Sequence, residues 1–309
     1  MQKVFFNKNT NYSQLVLREE LMTQKERIAI VTDSTCDLER EFIEKNDVHV
    51  LPLKINYPGK EYRDRIDIEP QEIYEKMPAE IPKTSMPGLG EIMELFTKLK
   101  EQGFNRILSM HISGGLSGTV NIVQMAARQI SEMRIEVLDS RALSLGLGFL
   151  VNKAVRLREA GYLFDEIVEK IKKSRDEIKV FFVVKTLEYL RKGGRIGLIE
   201  GTLGNLLNIK PIVSINEQGK YFTYSKVRGR KKSLEEMVEI AKEYIREKAV
   251  NLAVMYSGTE AEAEALEVRE KLLNTNCADI REIFWGQIGP SMGVHAGPGL
   301  VGVGIQPVD

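Results

Sequence analysis

The chain has 309 residues, of which 43% are hydrophobic and 28% charged, as in an ordinary globular protein with room for two domains. The 44 basic residues equal the 44 acidic ones, which argues against a general nucleic-acid binder. No apolar run could span a bilayer as an integral membrane segment, and Cys36 and Cys277 match no metal or disulfide pattern. We therefore expect a cytoplasmic protein without a metal site.

The N-terminal segment precedes the patterned part of the sequence, which begins at Arg27. It lacks the continuous apolar stretch and the cleavage site of a signal peptide. We expect residues 1–24 to be a poorly ordered or peripheral extension. Met22 stands just before the pattern, and we hypothesise that it is the true start. N-terminal sequencing of the native protein would test this, and a mature chain beginning earlier would contradict it.

Residues 25–175 alternate between strand and helix patterns. The first half therefore predicts an α/β domain of three layers, α/β/α, around a parallel sheet. The strands are expected at RIAIVT, VHVLPLKINY, FNRILSMHI and MRIEVLD, and the helices at LEREFIEKND, IEPQEIYEKM, GLGEIMELFTKLKEQG, LSGTVNIVQMAARQI and ALSLGLGFLVNKAVRLREAG.

The pattern changes after residue 175, where we place a domain boundary. KPIVSINEQGKYFTYSKV predicts a β-hairpin that turns near Glu217–Gly219. Further strands are expected at IKVFFVV, NLAVMYSG, CADIREIF and GLVGVGIQ. Hairpins mixed with helical crossovers predict a second α/β domain with a mixed sheet over residues 176–309.

The stretch HISGGLSGTV predicts a strand, a glycine-rich turn and a helix. It is not a Walker A loop, a dinucleotide fingerprint or a nucleophile elbow, because its spacing fits none of them. The helix start and the nearby groups suit a phosphate or a carboxylate. The alternative is that Ser117 only caps the helix. The turn contributes the candidates Ser113, Gly115, Ser117 and Gly118.

Two other polar stretches resemble this turn. KTSMPGLGE places Thr84 and Ser85 before a predicted helix, where capping is again the alternative, and VTDSTCDL places Asp33 and Ser34 at the end of the first strand. Ligands of parallel sheets bind beyond the carboxyl ends of the strands. We therefore expect these residues and the glycine-rich turn to converge on one site.

The C-terminal stretch SMGVHAGPGLVGVGI contains His295, which either reaches a ligand or is a buried structural histidine. In the strand that follows, Gly302 and Gly304 leave one face without side chains. Either a helix packs closely there, or a long apolar ligand does.

Eight sequence blocks, in this order, resemble the DegV family and span residues 27 to 307. They are IVTDSTCDL, KTSMPGLGE, HISGGLSGT, LDSRALSLGLG, LEYLRKGGRIG, GNLLNIKPI, KVRGRKKSL and HAGPGLVGVGI. The resemblance implies two α/β domains with a long-chain, palmitate-like fatty acid bound between them. It also implies a carrier that presents the acyl carboxylate to the catalytic subunit of a separate ATP-dependent fatty acid kinase, for acyl-phosphate formation in phospholipid synthesis.

The resemblance also assigns residue roles. It places the carboxylate-binding groups on Thr84, Ser117 and His295, and the kinase-docking surface on a basic block that includes Arg228. Gly114 and Met86 depart from the common family pattern. We expect the site to survive the change at Gly114, because the ligand serine is the later Ser117, and we expect Met86 to alter the pocket mouth.

No residue needs to be a nucleophile, and no cofactor is expected besides the fatty acid. The protein is therefore interpreted as a binding protein and not an enzyme. One alternative is a stand-alone enzyme related to dihydroxyacetone kinase, in which His295 would hold the substrate covalently. Another is a regulatory lipid sensor. The cations of EYLRKGGRIG, Arg191, Lys192 and Arg195, either face a phosphate or kinase or are solvated.

Overall fold

The computed structural model describes residues 26–77, 79–199, 201, 208–276 and 278–308. The expectations for residues 1–24, including a start at Met22, and for Cys277 lie outside these residues. Within them, strands and helices alternate along the chain, and the strands form three sheets. No helix in the described part of the chain is long and apolar enough to cross a membrane.

The first half contains seven strands and six helices among the described residues. The strands are β1 (Ile28–Asp33), β2 (Val48–Leu51), β3 (Lys54–Tyr57), β4 (Lys60–Arg63), β5 (Lys83–Ser85), β6 (Arg106–His111) and β7 (Arg134–Asp139). The helices are α1 (Arg40–Lys45), α2 (Pro70–Lys76), α3 (Leu89–Glu101), α4 (Thr119–Ala127), α5 (Leu145–Glu159) and α6 (Phe164–Glu177).

A four-stranded parallel sheet in the order β2-β1-β6-β7 forms the centre of the first half. All six residues of β1 are buried, as expected for a parallel strand that is covered on both faces. The predicted parallel α/β sheet is confirmed.

The predicted second strand, VHVLPLKINY, is two strands. The chain bends at Pro52, so that β2 joins the parallel sheet while β3 pairs antiparallel with β4 and β5. A proline lacks the N–H that a continuous strand needs. Thr84 and Ser85 lie in β5 and do not cap α3, which begins after Gly88. A three-stranded antiparallel sheet is therefore added beside the parallel one.

The second half builds one six-stranded mixed sheet in the order β10-β9-β8-β13-β11-β12, in which only β11 and β12 are parallel. Both the mixed sheet and the β9–β10 hairpin were predicted. The strands are β8 (Lys179–Val183), β9 (Ile209–Ile215), β10 (Tyr221–Arg228), β11 (Val250–Tyr256), β12 (Ile280–Gln287) and β13 (Val301–Pro307). The helices are α7 (Glu188–Lys192), α8 (Arg230–Glu247), α9 (Glu262–Leu273) and α10 (Pro290–Ala296).

Helix α5 lies where the two halves meet and contacts both β1 and β13. Its first turns are buried on all sides, which explains why this segment is apolar all round. The largest core cluster therefore contains residues of both halves. Sheet membership changes between β7 and β8, and the boundary near residue 176 stays a prediction.

Candidate functional site

An apolar cavity with an empty volume of about 560 Å³ lies between the first turn of α5 and the six-stranded sheet. Its walls also include residues of α10 and the strands β8, β11 and β13. The lining is aliphatic and aromatic over most of its length, so the space suits an apolar ligand.

The glycine face of β13 lies in the wall of this cavity, at Gly302 and Gly304. On the opposite face, Val301 and Ile305 pack into the core of the second half. An added Cβ at Gly304 would meet the Phe149 ring at 3.2 Å. The missing side chain at Gly304 therefore lets the Phe149 ring of α5 pack closely against the strand.

A second, smaller cavity adjoins the apolar one, and we call it the head cavity. It has about 380 Å³ of empty volume and is lined by Thr84, Ser117 and Arg195, among other residues. His295 and Met292 line both cavities. The two spaces are therefore adjacent, and the head cavity has the Thr84 and Ser117 hydroxyl groups and a guanidinium in its wall that the apolar one lacks.

The imidazole of His295 stands at this junction. Its Nε2 atom lies 2.7 Å from the Thr84 hydroxyl. Burial, with a smaller contribution from the Arg195 guanidinium, lowers the pKa of His295 to about 4. The ring is therefore neutral at pH 7 and acts as a hydrogen-bonding group. A Cβ at Gly193 would overlap the ring at Nδ1, so a glycine is needed there.

Arg195 supplies a positive charge to the head cavity. Its Nε donates to the Leu116 carbonyl at 3.2 Å, and its Nη1 donates to the Gly193 carbonyl at 2.7 Å. It forms no ion pair with a carboxylate among the residues described above. A partly buried guanidinium without an acidic partner favours an anionic ligand. The sequence presented Arg195 only as one of three cations around a glycine pair, and did not single it out.

Ser117 combines the two roles that the sequence left open. Its Oγ accepts the Thr119 N–H at 3.3 Å and lies 2.8 Å from the Thr119 hydroxyl. It also lines the head cavity. Gly118 is the residue at the N-cap position of α4. The Ser117 hydroxyl therefore both satisfies the helix start and faces the cavity.

A buried carboxylate ties the ends of β1 and β6 together below this turn. Asp33 accepts both the N–H and the hydroxyl of Thr35, and also the N–H of Ile112 and the His111 ring. His111 contacts the Ser109 hydroxyl at 2.7 Å. This serine, histidine and aspartate are fully buried, so no substrate reaches the hydroxyl. Asp33 instead orients Thr35, a head-cavity residue of the same stretch that was not among the candidate site residues.

Ser34 and Ser85 do not line the head cavity, although convergence was expected. The Ser34 hydroxyl donates to Asp64 at 2.7 Å and accepts the Leu53 N–H at 3.0 Å. Ser85 lies on the exposed face of β5, where it accepts a hydrogen bond from Asn56 at 3.0 Å. Alternate residues of a strand point to opposite sides, so Thr84 faces the cavity and Ser85 does not.

Ser113 and the turn glycines contact the tip of the β9–β10 hairpin and the cavity mouth. The buried Ser113 hydroxyl donates to the Gly219 carbonyl at 2.8 Å. A Cβ at Gly115 would lie 2.5 Å from that same carbonyl oxygen, and one at Gly118 would lie 3.2 Å from the Met86 sulfur. Both glycines line an outer depression beside the head cavity. They permit close packing around the site, and Ser113 and Asp33 do not line it.

Arg228 is exposed at the end of β10 and is not among the residues of the head cavity. Its predicted role in docking a kinase stays a prediction.

Two buried carboxylates of the first half hold the start of α10. Asp37 accepts the Gly289 N–H at 2.9 Å, while Asp64 accepts both the N–H and the hydroxyl of Ser291, at 3.2 and 2.6 Å. Burial raises the pKa of Asp64 to about 6, against hydrogen bonds that lower it. Since α10 carries His295, these contacts position the imidazole.

Comparison with known proteins identifies the family. The family model described as "Uncharacterised protein, DegV family" matches residues 27–308. A DegV domain-containing protein of Clostridium acetobutylicum is 45% identical over 279 residues, which are 90% of this chain and 98% of the relative. The chain belongs to the DegV family.

Solved structures of DegV proteins share the fold. One described as showing fatty acid binding of a DegV family protein from Thermus thermophilus has a TM-score of 0.85 and 34% identity, covering 91% of this chain and all of that one. A stearic-acid-binding protein from Eubacterium ventriosum has a TM-score of 0.80 and 29% identity, covering 91% and 98%. The two cavities described above therefore occur in a fold that these two structures, described as binding fatty acids, share.

Proposed function

We propose that this DegV protein binds a long-chain fatty acid, with its carboxylate in the head cavity and its acyl chain in the apolar cavity. Thr84, Ser117 and His295 would bind the carboxylate together with Arg195. The observation that carries the proposal is the Arg195 guanidinium, which has no acidic partner in the described part of the chain and lies in the cavity next to the apolar one. The fatty acids bound by solved family members support it.

The two ends of the ligand would contribute different energies. Each hydrogen bond to the charged carboxylate is worth about 1.5–3 kcal/mol. Each buried methylene contributes about 0.8 kcal/mol, so a palmitate-like chain offers roughly 10 kcal/mol before ordering costs. The chain therefore supplies most of the affinity, and the head group fixes the direction of binding.

The protein would act as a carrier in the cytoplasm, presenting the carboxylate to a separate ATP-dependent fatty acid kinase. Phosphoryl transfer to the carboxylate would give an acyl phosphate for phospholipid synthesis. Two features support this role. The sequence has no Walker A loop, and outer depressions that share Arg195 adjoin the head cavity. The carboxylate would thus lie at the accessible end of the ligand.

Native mass spectrometry of freshly purified protein, followed by organic extraction and lipid analysis, tests binding. We expect one equivalent of a fatty acid. Protein that is empty and also fails to take up added palmitate would contradict the proposal. It would reopen the case for a small hydroxylated or phosphorylated substrate.

Transfer is tested separately, with the cognate kinase, ATP and palmitate-loaded protein. We expect Arg228→Glu to keep fatty acid binding and lose acyl-phosphate formation. Arg281→Glu is the control, since Arg281 is also exposed but lies on the opposite edge strand, β12. Turnover with ATP and no kinase would favour a stand-alone enzyme. Palmitate binding without phosphorylation by any kinase tested would favour a lipid sensor.

A further inference from the structure

Three neighbouring strands form the floor of the apolar cavity, and their register divides it into rows. In the first row, Gly302 of β13 lies opposite Phe182 and Met255. In the second, Gly304 lies opposite Val180 and Ala253. All six residues line the cavity: Gly302, Phe182, Met255, Gly304, Val180 and Ala253. Since Leu300 beside α10 lines it too, the rows run from the head cavity toward the far end.

The next row of the same face is polar and closed. Gln306 lies opposite Asn251, whose amide donates to the Gln306 side-chain oxygen at 3.0 Å. The Gln306 amide donates to the Ser174 hydroxyl at 3.0 Å. All three side chains are buried, and neither Gln306 nor Asn251 lines the cavity. An acyl chain that separated them would leave buried polar groups without partners, which is costly.

An aromatic ring stands at the second row. Phe149 of α5 is fully buried and packs edge to face against Phe284, with the ring centroids 5.4 Å apart. Its backbone carbonyl accepts from Gln306 at 3.4 Å. Its ring lies where a Cβ on Gly304 would come within 3.2 Å. The ring therefore packs against the glycine of the second row, just outside the residues that line the cavity.

We propose that Phe149 and the Asn251–Gln306 pair form the stop of the acyl tunnel, and that the second row at Gly304 sets the longest chain that fits. This inference rests on the proposed fatty acid binding. It assigns chain-length selection to residues at the far end of the cavity, away from the carboxylate.

Four variants separate this stop from general effects on packing. Gly304→Ala adds a methyl group at the stop. Gly302→Ala adds the same group one row nearer the head, where every chain passes. Phe149→Leu removes ring volume from the stop itself. Ile305→Val is the control, because Ile305 lies on the opposite face of β13.

The measurement is a binding titration of laurate, myristate, palmitate, stearate and arachidate with each delipidated, folded variant. Gly304→Ala should lower the affinity for the longest fatty acid that the unaltered protein binds. The expected loss is roughly fourfold for each methylene that no longer fits. The affinity for shorter chains should stay unchanged. Gly302→Ala should weaken all chains alike, Phe149→Leu should shift the preference to longer chains, and Ile305→Val should change nothing.

If Gly304→Ala, Phe149→Leu and the unaltered protein all prefer the same chain length, the proposed location of the stop is wrong. The same holds if Gly304→Ala weakens the binding of all chain lengths equally. Failure of the unaltered protein to bind any of the five acids would instead contradict fatty acid binding itself. The two failures are thus distinguishable.

Discussion

The two ends of the cavity are built in different ways. At the head, Thr84 and His295 touch although they are 211 residues apart in the chain, and Ser117 and Arg195 come from two further segments. At the far end, the wall follows from the register of three neighbouring strands. The head is held by individual hydrogen bonds, whereas the far end is shaped by missing side-chain volume.

Substitutions at the two ends of the cavity should therefore affect ligand binding differently. Changes at the head should alter the preference for a carboxylate, because charge and hydrogen bonds recognise it. Changes at the far end should alter which chain lengths fit, since burial of apolar area is non-directional. Comparing palmitate with cetyl alcohol, which has the same chain and no carboxylate, separates the two.

The largest effect is expected for Arg195→Leu, which removes the charge of the head cavity. Palmitate binding should weaken by about 3 kcal/mol, or roughly a hundredfold, because a partly buried charge pair loses one partner. Cetyl alcohol binding should stay within about threefold. Isothermal titration with both ligands measures this.

Lys192→Leu is the matched control for charge. Lys192 lines an outer depression near Arg195 but is exposed and paired with Glu188 at 2.6 Å. Palmitate affinity should change by less than about 0.5 kcal/mol. Equal losses in the two variants would mean that general positive potential, and not the Arg195 guanidinium, attracts the ligand.

Asp64, which holds the start of α10, should make the stability of the fold depend on pH. Its pKa of about 6 in the folded protein is above the ordinary value of 3.8, so the folded state keeps the proton longer than the unfolded state. Stability is therefore highest below pH 4 for this group and falls by about 3 kcal/mol as the pH rises to 6. Chemical denaturation of the protein and of Asp64→Asn across this range should show the difference. Parallel curves would contradict a raised pKa.

Most of the architecture could be predicted from the sequence, because periodicity reports local structure. The strand RIAIVT and the hairpin at Glu217–Gly219 lie where expected. The split at Pro52 could have been read from the proline itself. The head cavity was harder. Thr35 is held in place by its hydrogen bond to Asp33, and Arg195 by its hydrogen bond to the Gly193 carbonyl in the turn after α7. The spacing of residues in the sequence does not report such contacts.

The same limit explains the polar residues that were misplaced. Ser34, Ser113 and Asp33 stand beside true cavity residues in the sequence, yet each bonds to an internal partner. Ser113 and Ser117 are the same residue type and lie in the same turn. Their hydrogen-bond partners distinguish them, and partners depend on the folded structure.

Ser117→Ala measures one head hydroxyl. Palmitate binding should weaken by about 2 kcal/mol, within the range for hydrogen bonds to charged groups, while cetyl alcohol binding should be nearly unchanged. Ser113→Ala is the control from the same turn. It should lower the free energy of unfolding, because the Gly219 carbonyl loses its donor, and should leave the ratio of the two affinities unchanged. An equal change of that ratio in both variants would place the carboxylate elsewhere.

The smallest effect is expected at His295, which contributes a neutral ring. His295→Gln should weaken palmitate binding by about 1 kcal/mol, as for a neutral hydrogen bond. Because the pKa of this imidazole is about 4, palmitate affinity of the unaltered protein should not follow a histidine titration between pH 6 and 8. Titrations at several pH values in both proteins measure this. An affinity that rises as the pH falls to 6, and does so only with His295 present, would mean that the bound carboxylate draws a proton onto the ring. The head would then recognise its ligand with two cations and not with Arg195 alone.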